Sequence, residues 1–134
     1  MTFEQIRAIV IGRMQQWSGI PSANVDYPNN VAPFDPAGMT IWARLADIPG
    51  LSSTPEVGNG PSVRRTGVLV IQLFVPTYKG TLAITKAADT LVQHFEYYSA
   101  PEGPLDFFAA SLSVVGDEGN GWYQVNISLP YRAY

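Results

Sequence analysis

His94 is the one histidine in the chain and the first place to look for a general base. A catalytic base needs a nucleophile to deprotonate and a third group to orient it. No serine stands in a G-x-S-x-G turn, and no cysteine is present to take its place. His94 also falls at the border of an apolar stripe beside Leu91 and Tyr98, where a helix-border histidine is ordinary. The carboxylates are scattered. Asp47, Glu56, Asp89 and Glu102 have no spacing that sets two of them across one cleft, as glycoside hydrolysis requires. Asp117-Glu118 share a turn but lack the ligand ladder of a calcium loop, and one histidine without cysteine leaves a transition metal only carboxylates. Gly58-Asn59-Gly60 and Gly119-Asn120-Gly121 hold a bare G-x-G with no continuation into a phosphate-binding helix, so turn-forming glycine accounts for both. The expectation is a non-enzyme with no cofactor and no metal.

The remaining polar residues of interest suit contact better than reaction. Arg64-Arg65, with Arg44 on an earlier strand-like run, could present planar, bidentate guanidinium forks to acidic groups of a neighbouring subunit. The alternative is solvated edge charge that discourages strand aggregation. Trp42 and Trp122 are interface anchors or core residues, with core favoured for at least one of them.

Charge points the same way. Lys plus Arg is 8 against Asp plus Glu 11, a formal charge of −3 with a sequence pI of about 4.9, so specific nucleic-acid binding is not expected. Charged residues make up only 14% against about 25% in average soluble proteins. A neutral surface of that kind fits buried subunit contacts, or else a low-charge monomer. The start Met1-Thr2-Phe3-Glu4 does not read as a signal peptide, and the longest apolar run, 68–75, is too short to span a membrane; a soluble chain with no membrane partner is expected.

The elements that must carry these residues can be read from periodicity. Thr2 and Gln5 form a capping box ahead of Phe3, Ile6, Ile9, Val10, Met14 and Trp17, which predicts a helix over about 2–17 with Ile11 pointing away from the stripe. Prolines 21, 28, 33 and 36 make 21–38 an irregular connector with a short extended piece around 24–27. Alternation predicts a strand at 39–48, then a long hairpin arm over about 49–62, flexible or disordered when alone. The strand at 63–75 is apolar on both faces, with Leu69, Ile71, Leu73 and Val75 on one and Val68, Val70 and Phe74 on the other, so both faces need a cover. Ile84, Ala88, Leu91, Phe95 and Tyr98 predict a second helix at about 81–98, a possible crossover between parallel strands. A terminal hairpin follows, Ala110–Val114 and Tyr123–Leu129, with Pro130 at an edge or at the end of pairing and 131–134 as a tail. The order α-β-β-α-β-β over one domain, 1–134, predicts an α+β fold: a mixed four- to five-stranded sheet with two main helices packed on one face.

The runs Ile41-Trp42-Ala43-Arg44-Leu45 and Arg65-Thr66-Gly67 through Val75-Pro76, with Gly80, Ala87-Ala88-Asp89 and Phe95, resemble the phage tail terminator family. The resemblance implies a virion protein at the head-proximal end of the tail, made in the bacterial host cytoplasm. It implies a homo-hexameric ring that caps the tail tube, stops its polymerisation and offers a surface for head–tail joining, with tail tube protein and head–tail connector as partners. Arg44, Arg64, Arg65, Trp42 and Trp122 are then candidates for the subunit or tube interface. Another neck or tail-completion protein, or a monomeric domain with a small-ligand pocket between sheet and helices, are the competing readings.

Overall fold

A computed structural model describes residues 1–53 and 63–134. The predicted arm at 49–62 thus lies largely outside the described residues; Pro49 ends a strand, and Ser53 bridges to Arg64.

Helix α1 spans Phe3–Gln15 behind the expected capping box, in which Thr2 and Gln5 satisfy each other's backbone amides. It buries Ile6, Val10 and Met14, and Trp17 just beyond its end. Ile11, expected to face outward, is instead half-buried against the core. Phe3 is exposed, with the Arg65 guanidinium 4.4 Å from its ring centroid.

Six strands form one sheet: β1 (Val25–Asp26), β2 (Trp42–Pro49), β3 (Arg65–Pro76), β4 (Leu105–Phe107), β5 (Ser111–Asp117) and β6 (Trp122–Ala133). The order is β1-β2-β3-β6, after which β4 and β5 share the far edge of β6. β1 runs parallel to β2 and every other pairing is antiparallel, so the sheet is mixed. β3 and β4 are both antiparallel to β6 and therefore parallel to each other. Helix α2 (Leu82–Phe95) is the expected crossover, with β6 inserted between the two strands it joins.

The sheet exceeds the expected strand count through pieces too short to show a period. β4 is three residues long, and 131–134 is no tail: Tyr131 to Ala133 pair with both β3 and β4. Pro130, expected at an edge or at the end of pairing, does not end it: it sits inside β6 opposite Val68, with its other side at a gap along the sheet edge. Its carbonyl accepts from the Phe108 amide across the gap between β5 and β4. The N–H that proline lacks would point into that same gap, so the ladder to β3 loses nothing.

Alternation sends Leu69, Ile71, Leu73 and Val75 of β3, with Ala43 and Leu45 of β2 and Val125, Ile127 and Leu129 of β6, into one buried core beneath α1 and α2. Ile84, Ala87, Ala88, Leu91 and Phe95 supply the α2 side. Both helices pack on this one face. On β5, Leu112 and Val114 point to the same side yet are 51% and 59% exposed, because the edge strand reaches past the helices. Tyr131 lies on the core face and passes over Gly67, reaching from β6 across β3 to donate to Asp47 Oδ1 at 2.8 Å.

Candidate interaction surface

Among the described residues, no helix lies on the second face of the sheet. β3 presents Thr66, Val68, Val70, Gln72 and Phe74 there, and the long connector between β1 and β2 covers only one end. At that end Trp42 stacks on Phe74 with centroids 4.0 Å apart, Trp122 meets Trp42 edge-on at 5.8 Å, and Phe34 of the connector closes over Trp42 at 5.4 Å. Arg44 flanks this cluster, 5.1 Å from the Trp42 ring, and pairs with Asp26 of β1 at 3.2 Å.

The other end has no such cover among the described residues. Ile48, Val68 and Pro130 stand in register across β2, β3 and β6, and Phe108 extends the row past the sheet edge. They line a shallow hollow of about 470 Å³. Ile48 is 55% exposed. Arg64 and Arg132 border the row with Tyr134 between them, the two guanidinium carbons lying 5.6 and 5.0 Å from its ring centroid; Arg132 is also 5.3 Å from that of Phe108. Among the described residues, each Nε is buried without a hydrogen-bond partner and neither arginine has a carboxylate within ion-pair distance.

The groups that could do chemistry are used structurally. The His94 ring donates from Nε2 to the Arg13 carbonyl at 2.6 Å, and the Arg13 guanidinium returns bonds to the His94 carbonyl while lying 3.8 Å from the Tyr98 ring centroid. This clasp joins the two helices. Burial holds the imidazole below its ordinary pKa, and the nearby Arg13 charge acts the same way against the bond to the Arg13 carbonyl, so the ring is neutral at pH 7. Gly119 and Gly121 have positive φ, and Asp117 and Asn120 accept backbone amides across the same turn. Gly58-Asn59-Gly60 and Glu56 lie outside the described residues. Among the described residues no group of three His, Asp or Glu side chains is placed to hold a metal, and no helix is long and apolar enough to cross a membrane.

Comparison with known proteins decides the family. The model of the phage tail terminator protein family matches residues 5–131. The chain belongs to that family. One solved structure, of a protein whose name carries no functional description, superimposes with a TM-score of 0.75 at 19% identity, covering 100% of this chain and 96% of that one. At that identity it shows the shared fold. No curated protein matches the sequence. Tail terminators are structural, so this family member has a role in completing the phage tail, as a virion tail component that contacts other tail and head components. Work of that kind calls for surfaces.

Within this tail terminator the five residues singled out from sequence do not form one patch. Arg64 and Arg65 point to opposite faces: Arg65 donates to the Met1 carbonyl just ahead of α1 and to Ser52 Oγ beyond β2. Arg44 stands opposite Gln72, eight residues along β3 from Arg64, or roughly 26 Å at ~3.3 Å per residue. Trp42 is buried and Trp122 half-buried, both in the aromatic cluster at the covered end. The open end is built instead from Arg64 and from residues not singled out, namely Arg132, Phe108, Pro130 and Tyr134. The one signal for them was that apolar alternation resumes after Pro130, with Tyr131 and Ala133 on one side and Arg132 and Tyr134 on the other.

The Asp47–Tyr131 pair gives a pH-dependent prediction. Burial raises the Asp47 pKa above the usual carboxylate value, and the bond from Tyr131 only partly opposes this. The same burial and bond raise the Tyr131 phenol, which stays protonated. A raised carboxylate binds its proton more tightly in the folded chain, so folding is favoured below the unfolded value of about 4 and penalised as pH rises through the folded one. Asp47→Asn keeps an acceptor for Tyr131 and removes that penalty. Thermal melts should show a higher midpoint than the parent at pH 7, with the gap closing below about pH 4; a lower midpoint at pH 7 would count against it.

Proposed function

We propose that the chain is a tail terminator subunit that joins copies of itself head to tail into a ring, a hexamer by family resemblance. The ring caps the head-proximal end of the tail tube, stops tube polymerisation and presents the surface on which the head connector docks. One observation carries the ring: both helices lie on one side of a six-stranded sheet, and on the opposite side an apolar row bordered by two guanidinium groups has no cover among the described residues. Exposed apolar side chains beside charges with no opposite partner carry a free-energy cost in a lone subunit, and a neighbouring protein surface relieves it. Subunits that differ in the two patches they bring together close into rings when the rotation allows. We further propose that 1–134 acts as one domain, that Arg64 belongs to the subunit contact, that Arg44, Trp42 and Trp122 belong to the tube- or connector-facing end, and that Arg65 supports the contact through α1. Synthesis is in the host cytoplasm before joining the virion.

Light scattering after size exclusion should give a ring-sized mass, either for the protein alone or on addition of tail tubes assembled without it. Electron microscopy of tails made without the protein should show overlong tubes, and adding it during assembly should restore a uniform length. A chain that stays monomeric with tubes present and leaves their length unchanged overturns this reading.

A further inference from the structure

The two poles of β6 differ in a way that bears on how copies meet. At its start, the turn after β5 carries Asp117 and Glu118, both exposed, and Leu112 and Val114 stand exposed just behind it. Asp117 spends Oδ1 on the Gly119 amide, while Glu118 has no hydrogen bond or ion pair among the described residues. At the other end, roughly 33 Å away for ten residues at ~3.3 Å each, lie Arg132 and Arg64 beside the row of Ile48, Val68, Pro130 and Phe108.

We infer that the Asp117–Glu118 hairpin tip of one copy docks on the Arg64–Arg132 pocket of the next, with Leu112 and Val114 against the apolar row. This rests on the ring reading above and names the contact that would build it. The fit is one of charge and of kind. Each guanidinium is held against an aromatic ring and has no carboxylate partner among the described residues. Such a preorganised fork takes a carboxylate with bidentate geometry at little entropic cost. A free anion would satisfy the charge but not the apolar row, and with a net charge of −3 the chain offers no wider cationic surface for a polyanion. The tip supplies carboxylates and apolar side chains together. Because tip and pocket are different patches at opposite poles, every copy offers one of each, which propagates head to tail.

The chain has no cysteine, so engineered disulfides report this contact without background. A chain carrying both Glu118→Cys and Arg132→Cys, oxidised under conditions where the parent assembles, should give a ladder on a non-reducing gel that ends at the ring mass. Mixing the two single-cysteine chains should stop at dimers. As an independent check, Asp117→Arg with Glu118→Arg in one chain, and Arg64→Glu with Arg132→Glu in another, should each weaken self-association about tenfold or more while circular dichroism is unchanged. Mixing those two chains should restore assembly, since each reversed tip then meets a reversed pocket. A parent that assembles while the double-cysteine chain gives no cross-links, or links only to tube protein, removes this contact and leaves the ring reading standing. A double-cysteine chain that stops at dimers replaces head-to-tail propagation with two-fold pairing. A parent that never assembles, even on tubes, removes both readings.

Discussion

Replacing Gly67 by alanine is expected to destabilise the fold by about 2–3 kcal/mol, or roughly 10 °C in unfolding midpoint for a chain of this size. Backbone strain is not the cause. A Cβ at position 67 would meet the Tyr131 ring at 2.5 Å at Cζ and 2.8 Å on its edge, closer than real Cβ contacts come. The ring cannot swing aside cheaply. It is 3% exposed, it meets Phe107 edge-on at 6.0 Å, and its hydroxyl is tied to Asp47. Displacing it strands a half-buried carboxyl as well as opening a void, so overpacking and a lost hydrogen bond act together. Thermal or urea unfolding of Gly67→Ala, Tyr131→Leu and the double variant reads the coupling directly. Once the ring is gone, the alanine should cost much less. A Gly67→Ala chain as stable as the parent would mean that the close approach is not what glycine is needed for.

The second large effect concerns assembly rather than stability. Ile48→Asp combined with Phe108→Ser should leave the monomer folded, because both side chains are substantially exposed, at 55% and 37%. If the open row is where a neighbouring copy seats, each contact then loses two apolar side chains and gains a buried charge. At about 1.5–3 kcal/mol for a large apolar side chain, that weakens association per contact by roughly a hundredfold or more. Closure of a ring multiplies the loss over every interface. Light scattering should give monomer mass at concentrations where the parent assembles, and tails completed with this variant should lose their uniform length. A matched pair of changes on the helix-covered side, such as Glu4→Ser with Leu82→Ser, both also exposed, should leave assembly intact. Full assembly of the Ile48→Asp, Phe108→Ser chain would move the subunit contact elsewhere.

Much of the fold was legible because it is written in local periods. The stripe Ile6, Val10, Met14 and the stripe Ile84, Ala88, Leu91, Phe95 each repeat at helical spacing, and both became helices within a few residues of the expected bounds. The unbroken apolar run of β3 and the strict alternation of Tyr123–Leu129 mark the two central strands. β4 escaped notice because three residues cannot display a period, and it exists only by pairing with Tyr131–Ala133. Pro130 left two readings open, an edge or the end of pairing, for a related reason. Proline ends strands where its N–H would be needed, and whether the N–H is needed depends on what lies beside it, here a gap between two short strands. Arg64 and Arg65 were read together, although period-2 alternation already sends neighbours to opposite faces.

What the amino-acid order determined unaided is therefore the kind of fold: helices and strands in sequence, and a strand, read at 63–75, apolar on both sides and so in need of two covers. Folding decided which side received the helices, and it brought Arg132 and Tyr134 beside Arg64 from nearly seventy residues away through the pairing of Arg65 with Ala133. The division has a physical basis. Side-chain periodicity arises from the geometry of a single segment and can be read within it. The register between β3 and β6, and the empty space beside Pro130, come from packing among segments distant in the chain, as does the ring of Tyr131 lying over Gly67.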